Sequence, residues 1–297
     1  MRRRALLGGL ALLLPGAAWA RCEGVVPGLR PQNADRDLVG QSLDEIVERG
    51  FVEFALYEDL PPYSWEEGGP RGVDVGLGRI VADALGVEPR FRFVPSGENL
   101  EADLRYQVWQ GQPLGGPENV VSNVMLHVPY DSAFACRVEQ VAFTGQAYRE
   151  RVAIAYDPSA WDGDAPTPAF FRFGLVAVEN DTIADFYLTS FAGGQVAPSV
   201  RRFPSAAEAM AALGRGEVGA AMGPRAMLEW GRGEGVLVHE PPLPGLAVGD
   251  WTVGVAVHQS HRPLAYAVDG AVADAIADGR VQALFADMGL TWEAPER

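Results

Sequence analysis

The chain has 297 residues, of which 48% are hydrophobic, and a formal net charge of -15. So acidic a protein repels nucleic acid and anionic lipid surfaces, which excludes a polyanion-binding function. All 24 basic residues are arginine, and the lack of lysine excludes Schiff-base catalysis, a P-loop phosphate site and a Ser-Lys nucleophile pair.

Residues 1–20 have the pattern of a cleaved secretory signal peptide. Three arginines precede an apolar run, and Ala18-Trp19-Ala20 is a cleavage signal. We therefore expect a periplasmic protein, exported by the Sec or the twin-arginine route, with residues 21–45 as an N-terminal extension. In that oxidising compartment Cys22 and Cys136 are expected to form a disulfide, a free buried thiol at Cys136 being the alternative.

The first predicted elements lead to an aromatic loop. Ser42-Leu-Asp-Glu45 is a capping box and predicts a short helix to Arg49, followed by a strand over 51–57. Pro61-Pro62 ends that strand and stiffens the loop after it. Aromatic residues of this loop are expected to stack on a planar or apolar ligand, the alternative being that they pack beneath the rim. These aromatic residues are Tyr57, Tyr63 and Trp65.

Strands and helices alternate along the rest of the chain. Residues 141–148 and 151–156 predict two strands or one bent strand, and 157–169 has the composition of a linker. This alternation predicts an α/β protein with two lobes and largely parallel sheets, whose ligand lies beyond the carboxyl ends of the strands. The other predicted elements are helices over 75–85, 98–110, 183–191, 205–213, 226–230, 263–277 and 279–288, and strands over 91–94, 120–128, 173–178, 201–203, 218–222, 236–238 and 251–257.

Four segments in this order resemble one protein family. They are "LYEDLPPYSWEEGGPRGVDVGLGRIVADALGVEPRFRFV", "RVEQVAFTGQAY", "FPSAAEAMAALGRGEVGAAM" and "DGRVQALFADMGL". Together they resemble the bacterial extracellular solute-binding proteins of family 3, the periplasmic receptors of polar amino-acid transporters. The resemblance implies the two-lobed (type II) periplasmic binding protein fold, with two crossovers between the lobes. Lobe 1 would comprise residues 46–148 and 250–291, and lobe 2 residues 149–249.

The resemblance also implies ligand-binding residues. Arg137 and Phe143 keep the family's six-residue step, so Arg137 is expected to hold a carboxylate, whereas a plain surface arginine is the alternative. Thr182 precedes a helix and offers a hydroxyl to an anion, unless it is only a helix cap. Gly223 stands where the family has an Asp for the ligand's ammonium group, which argues against an ordinary α-amino acid. The candidates to replace that missing carboxylate are Asp131, Asp59 and Glu58.

The function expected from this resemblance is capture of a small polar or carboxylate-bearing solute for an ABC-type transporter permease. The alternative is an accessory protein of a periplasmic quinoprotein dehydrogenase of the methanol type, since "NVMLHVPYD" and "AYRERVAIAY" are similar to that branch of the family. A lytic or dehydratase enzyme on the same fold is a third, weaker reading. We expect a monomer without enzymatic activity or cofactor. We also expect no metal site, because among the four histidines only His258 and His261 lie close in sequence, and no Asp, Glu or Cys joins them at metal-ligand spacing.

Overall fold

A computed structural model describes residues 42–111 and 120–296. The predicted signal peptide, most of the N-terminal extension and Cys22 lie outside these residues. In the described part, no helix is both long and apolar enough to cross a membrane.

Strands and helices alternate as the sequence predicts. The strands are β1 (Phe51–Tyr57), β2 (Trp65–Glu66), β3 (Pro70–Arg71), β4 (Glu88–Val94), β5 (Val124–Tyr130), β6 (Val141–Tyr156), β7 (Val176–Glu179), β8 (Val200–Phe203), β9 (Ala220–Pro224), β10 (Leu237–His239) and β11 (Asp250–His258). The helices are α1 (Leu43–Arg49), α2 (Val73–Leu85), α3 (Leu100–Leu104), α4 (Ser132–Arg137), α5 (Ile183–Gly194), α6 (Ala206–Gly214), α7 (Arg225–Gly231), α8 (Arg262–Ala277) and α9 (Arg280–Ala286).

One long strand joins two halves of a nine-stranded sheet. The strand order is β4-β1-β5-β11-β6-β9-β7-β8, with β10 also paired to β6. The N-terminal part of β6 pairs with β11 as far as Arg151, and its C-terminal part pairs with β9 from Val152 onward. In each half the outer strands are parallel, whereas β6 and β11 are antiparallel to their neighbours. The chain therefore has two lobes that share β6, which confirms the predicted two-lobed α/β class.

In the first lobe, two helices begin or end at the residues whose sequence signals predict it. Ser42 caps α1 in a complete capping box with Glu45, and Gly50 closes the helix in the left-handed conformation. Helix α2 starts directly after Gly72, whose φ is 121° and where a Cβ would collide with the backbone oxygen of Tyr63. Only glycine fits so close to the aromatic loop, and this approach fixes the start of α2 beneath it.

A β-bulge in β5 places one histidine at the carboxyl edge of the first lobe's sheet. Between β5 and β11 the register shifts, because Gly254 faces Val128 whereas Ala256 faces Met125. The extra residue lies in β5 at His127, whose φ is 57°. A bulge re-aims a side chain and is frequent next to functional sites.

Each lobe has its own apolar core. In the first lobe, strands β1, β5 and β11 pack against α2, α8 and α9 through residues such as Phe54, Leu126 and Val257, all fully buried. In the second, β6, β7 and β9 pack against α5 on one face and α6 on the other, around Ile154 and Ala177. Two cores joined by a continuous strand leave the space between the lobes free of core packing.

Residues 141–156 form one strand, which is one of the two alternatives that the sequence left open. The stretch 157–169, which has the composition of a linker, contains a 3-10 turn at Pro158–Trp161 whose Trp161 is buried. The predicted helix over 98–110 is instead α3 followed by a π-helical turn at Arg105–Trp109. The predicted lobe boundaries stay a prediction, and the change of partner along β6 falls within three residues of the first one.

The C-terminal segment after α9 runs along the junction of the lobes. Trp292 Nε1 donates to the carbonyl of Ala147 at 3.1 Å. Glu293 binds Arg225 at 2.6 Å and Arg151 at 2.7 Å, and Glu240 binds the same two arginines at 2.6 and 2.9 Å. These four side chains form a ring of alternating charge, which we call the hinge ring. It ties β6, α7 and the C-terminal segment together.

Candidate functional site: the interlobe cleft

A large cavity opens between the lobes and has a volume of about 1040 Å³. The first lobe contributes the carboxyl end of β5 and the start of α4, and the second lobe contributes Ile183, Ala247 and Val248. The rest of the lining comes from β6, β11 and the C-terminal segment. The lining residues are His127, Pro129, Tyr130, Asp131, Ser132, Arg149, Ile183, Ala247, Val248, Gly249, Asp250, Trp251, Thr252 and Glu296. A small organic solute fits a space of this size.

His127 lies at the cavity's inner wall and is held by two buried side chains. Its Nδ1 is 2.8 Å from Asp74 Oδ2 and 3.0 Å from the hydroxyl of Tyr148. The Tyr148 hydroxyl also donates to Asp74 Oδ1 at 3.1 Å. Burial, with the charge of Asp74, raises the pKa of Tyr148, so its phenol stays protonated.

A second buried acid lies next to this group. Glu150, on β6, is 3% exposed and accepts a hydrogen bond from the hydroxyl of Tyr63 and one from the backbone N–H of Arg151 at 2.8 Å. The Tyr63 ring packs on His127 and Tyr148, with ring centroids 4.4 and 6.1 Å apart. Burial raises the pKa of the Glu150 carboxyl, and hydrogen bonding to Tyr63 opposes the shift. The aromatic loop is thus fixed to the strand that both lobes share.

The charged residues at the cavity leave it acidic. Arg149 binds Asp250 at 2.7 Å and Glu296 at 3.0 Å, so its charge is already matched by two carboxylates. Asp131 adds a third carboxylate and caps α4 by accepting from the N–H of Phe134 at 2.7 Å. Among the described lining residues, therefore, no arginine is left to hold an anion.

A smaller cavity of about 400 Å³ lies along the same interlobe boundary. The first lobe lines it with Asp59, Pro61 and Trp65, and the second with the start of α6 and with Trp230 of α7. The rings of Trp65 and Trp230 contact each other across the boundary, with centroids 5.2 Å apart. The lobes are therefore in contact at this edge.

Solved proteins with a similar structure include several amino acid solute-binding proteins. An ancestral cationic amino acid solute-binding protein has a TM-score of 0.65 at 19% identity, over 83% of this chain and 99% of that one. A Streptococcus pneumoniae amino acid ABC transporter substrate-binding protein bound to L-arginine has a TM-score of 0.59 at 16% identity, over 84% and 98%. The Neisseria gonorrhoeae solute receptor for L-cysteine has a TM-score of 0.55 at 18% identity, over 83% and 93%. The chain has the fold of these two-lobed solute-binding proteins. No protein-family model matches it, and no curated protein matches it in sequence.

Two of the predicted ligand-binding residues line one of these two cavities. Asp131 lines the large one and Trp65 the smaller one. Thr182 is next to the large cavity, since the following residue, Ile183, lines it. Its hydroxyl donates to the carbonyl of Glu179 at 2.8 Å and accepts from the N–H of Asp185, which is a helix cap.

The other three predicted residues are not brought to these cavities. Tyr63 is 1% exposed and packs inside the first lobe, so the packing alternative describes it. Tyr57 donates its hydroxyl to Asp103 at 2.8 Å, and burial raises its pKa. Arg137 is exposed at the end of α4, over the ring of Phe134 at 5.7 Å. Arg137 is the last residue of α4 and lines neither of these cavities.

Cys136 is disulfide-bonded in the structure. Its predicted partner, Cys22, lies outside the described residues, so the pairing of these two cysteines stays a prediction. Gly223 is buried within β9, opposite Ala153, and supplies no side chain to the cleft.

The sequence analysis missed His127 as a functional residue. It was noticed only as one of four histidines, because its partners Asp74 and Tyr148 are 53 and 21 residues away. Asp74 lies in the first turn of α2. An acid in the first turn of a helix that faces a strand end was the one available signal. The described residues contain no group of three or more His, Cys, Asp or Glu that could hold a metal ion.

Proposed function

We propose that this protein is a periplasmic solute-binding protein that captures a small polar solute between its lobes and delivers it to an ABC-type transporter permease. The observation that carries the proposal is the cavity of about 1040 Å³ lined from both lobes. A ligand that contacts both lobes stabilises the closed arrangement over the open one. The similar solved structures, which include an amino acid ABC transporter substrate-binding protein, support the transport context.

Of the two expected solute types, the cavity favours a polar solute over one that depends on a carboxylate. The carboxylate expectation rested on Arg137, which lies off the cavity, and Arg149 is already bound by Asp250 and Glu296. A carboxylate placed beside these acids would be repelled, since like charges at short range disfavour binding.

We propose binding rather than catalysis, a monomer and a periplasmic location. The location rests on the signal-peptide pattern of residues 1–20 and on the fold. The non-enzymatic role rests on the fold of the similar solute-binding proteins, although the ancestral one among them is also described as a precursor of cyclohexadienyl dehydratase.

The test is to identify what the cavity holds. Protein purified from a periplasmic extract under native conditions should carry a co-purifying small molecule, which mass spectrometry would identify. After removal of this solute by unfolding and refolding, adding it back should reduce the radius of gyration measured by small-angle X-ray scattering. A saturating solute that leaves the radius unchanged would contradict closure of the lobes.

A second candidate is the accessory protein of a periplasmic quinoprotein dehydrogenase. The observation that favours it is Gly223, because a protein that binds a protein partner needs no acid there for an ammonium group. Affinity purification would distinguish the candidates. A dehydrogenase that co-purifies with a solute-free protein would replace the transport proposal.

A further inference from the structure

We propose that His127 is the ligand-recognising side chain of the large interlobe cavity, and that the solute is an organic cation with an N–H group on an apolar body. Asp74 and Tyr148 are the positioning residues that turn the Nε2 lone pair of His127 toward this solute. The inference rests on the proposed solute-binding function and names the chemical class of its ligand.

The backbone at His127 is held in a costly conformation. A φ of 57° is uncommon for a residue other than glycine, because the left-handed conformation brings Cβ too close to the following carbonyl oxygen. Strained residues of this kind persist where the surrounding structure fixes them and are concentrated at ligand sites. Here the β-bulge in β5 turns the imidazole out of the regular alternation of the strand and toward the cavity.

Hydrogen bonds fix which nitrogen faces the solute. Nδ1 is 2.8 Å from the carboxylate oxygen of Asp74, which is fully buried and can only accept, so the proton is on Nδ1. Nε2 then carries the lone pair. None of the described residues bonds it, and the side chain keeps 15% of its surface exposed at the cavity wall.

The rest of the cavity selects a cation. Three carboxylates and one arginine line it, which gives these four side chains a net charge of -2 (Asp131, Asp250 and Glu296 against Arg149). The lining also includes the apolar side chains of Ile183, Val248 and Trp251. An acceptor, an excess of carboxylates and these apolar side chains together fit a protonated amine or guanidinium on a hydrocarbon or aromatic body.

Calorimetric titration with two matched probes tests the charge preference. Phenethylamine and 3-phenylpropionate have the same ring and similar length but end in an ammonium and a carboxylate. We expect the protein to bind phenethylamine at least about tenfold more tightly, because a charge-assisted hydrogen bond to Nε2 forms only with the amine.

His127→Gly tests the recognition residue without straining the fold. Glycine adopts a positive φ readily, but the variant loses the hydrogen bond to buried Asp74 and the ring contact with Tyr63, so the melting temperature should fall. Below that temperature the folded variant should bind phenethylamine about tenfold or more weakly than the wild type. His239→Ala is the matched control, because His239 lies in β10, where its Nε2 faces the carbonyl of Pro166 and not the cavity. It should leave the affinity unchanged.

Asp74→Asn separates positioning from a merely structural role. The asparagine amide would donate to Nδ1 while its oxygen still accepts from Tyr148, so the proton moves to Nε2 and the imidazole becomes a donor. We expect the ratio of the two affinities to shift toward 3-phenylpropionate. If Asp74 had only a structural role, the variant should bind both probes more weakly by the same factor.

Three results would overturn the inference: tighter binding of 3-phenylpropionate than of phenethylamine, binding of neither probe at millimolar concentration, or an affinity for phenethylamine that His127→Gly leaves unchanged. These results do not test the proposed solute-binding function, which is tested by the co-purifying solute. If that solute is an anion, the solute-binding function is supported and the cationic ligand class is wrong.

Discussion

Glu150 shows how one buried residue can report on the junction of the lobes. It lies on β6 beneath the aromatic loop, and burial raises its pKa above 4.5, while the bond from Tyr63 and the charge of Arg225 oppose the rise. Because the folded protein then holds this proton more tightly than the unfolded chain does, the group stabilises the fold at low pH. The free energy of unfolding therefore falls as the pH rises from about 4.5 through the folded pKa.

Glu150→Gln should remove this pH dependence. We expect the melting temperature of the variant, measured relative to that of the wild type, to increase as the pH rises from 4.5 toward neutrality. Thermal unfolding followed by circular dichroism between these values measures the difference. Glu58→Gln, in the exposed part of the aromatic loop, is the control, and parallel profiles for wild type and Glu150→Gln would show that Glu150 does not titrate differently in the folded protein.

At the scale of elements, the hinge ring fixes the C-terminal segment to the junction of the lobes. Arg225 is 6% exposed and faces two carboxylates, Glu240 and Glu293, at 2.6 Å each. A guanidinium so deeply buried is costly unless both carboxylates remain in place. The ring should therefore hold only one relative position of β6, α7 and the C-terminal segment.

Glu293→Gln should loosen this junction. It removes one of two charges facing Arg225 and one facing Arg151, and we expect the free energy of unfolding to fall by about 1–3 kcal/mol. Chemical denaturation in urea measures the change. Glu234→Gln, at an exposed position, should change it by less than about 0.5 kcal/mol; equal effects of the two variants would mean that the ring contributes no more than surface charge.

The elements were predictable where local chemistry decides them. Helices α1, α2 and α6 begin and end close to the predicted residues, because capping side chains and the glycines after α1 and α2 act within one turn. The continuity of β6 could not be predicted, because the change of pairing strand after Arg151 depends on β9 and β11, which are distant in sequence. His127 was missed because a bulge depends on the register with β11 and leaves no local pattern.

The site was predictable only in part, for the same reason. Asp131 directly follows β5, and Trp65 ends the loop after β1. Both positions are at the carboxyl ends of strands, where a ligand is expected, and both residues line cavities. Tyr63 lies on the predicted loop, but the partner that buries it, Glu150, is 87 residues away. The spacing between Arg137 and Phe143 is correct in sequence, yet α4 sets where the arginine points, and that helix was not predicted.

At the scale of the whole molecule, charge and shape act on the solute together. A net charge of -15 attracts cations over a distance of about 10 Å at ordinary ionic strength. The Trp65–Trp230 contact joins the lobes at one place on their boundary, and neither tryptophan lines the large cavity. If the proposed organic cation is the solute, the net charge of the protein should speed its binding at low ionic strength.

The continuous strand β6 has a consequence for how the protein unfolds. Two lobes with separate cores would ordinarily melt independently, but here 16 residues of one strand carry hydrogen bonds for both, and the N–H of Val152 bonds the carbonyl of Gly249 beside the point where the partners change. Loss of either lobe would expose an unpaired strand edge in the other. Scanning calorimetry should therefore show one all-or-none transition with equal calorimetric and van't Hoff enthalpies, whereas two resolved transitions would show that the lobes are thermodynamically separate.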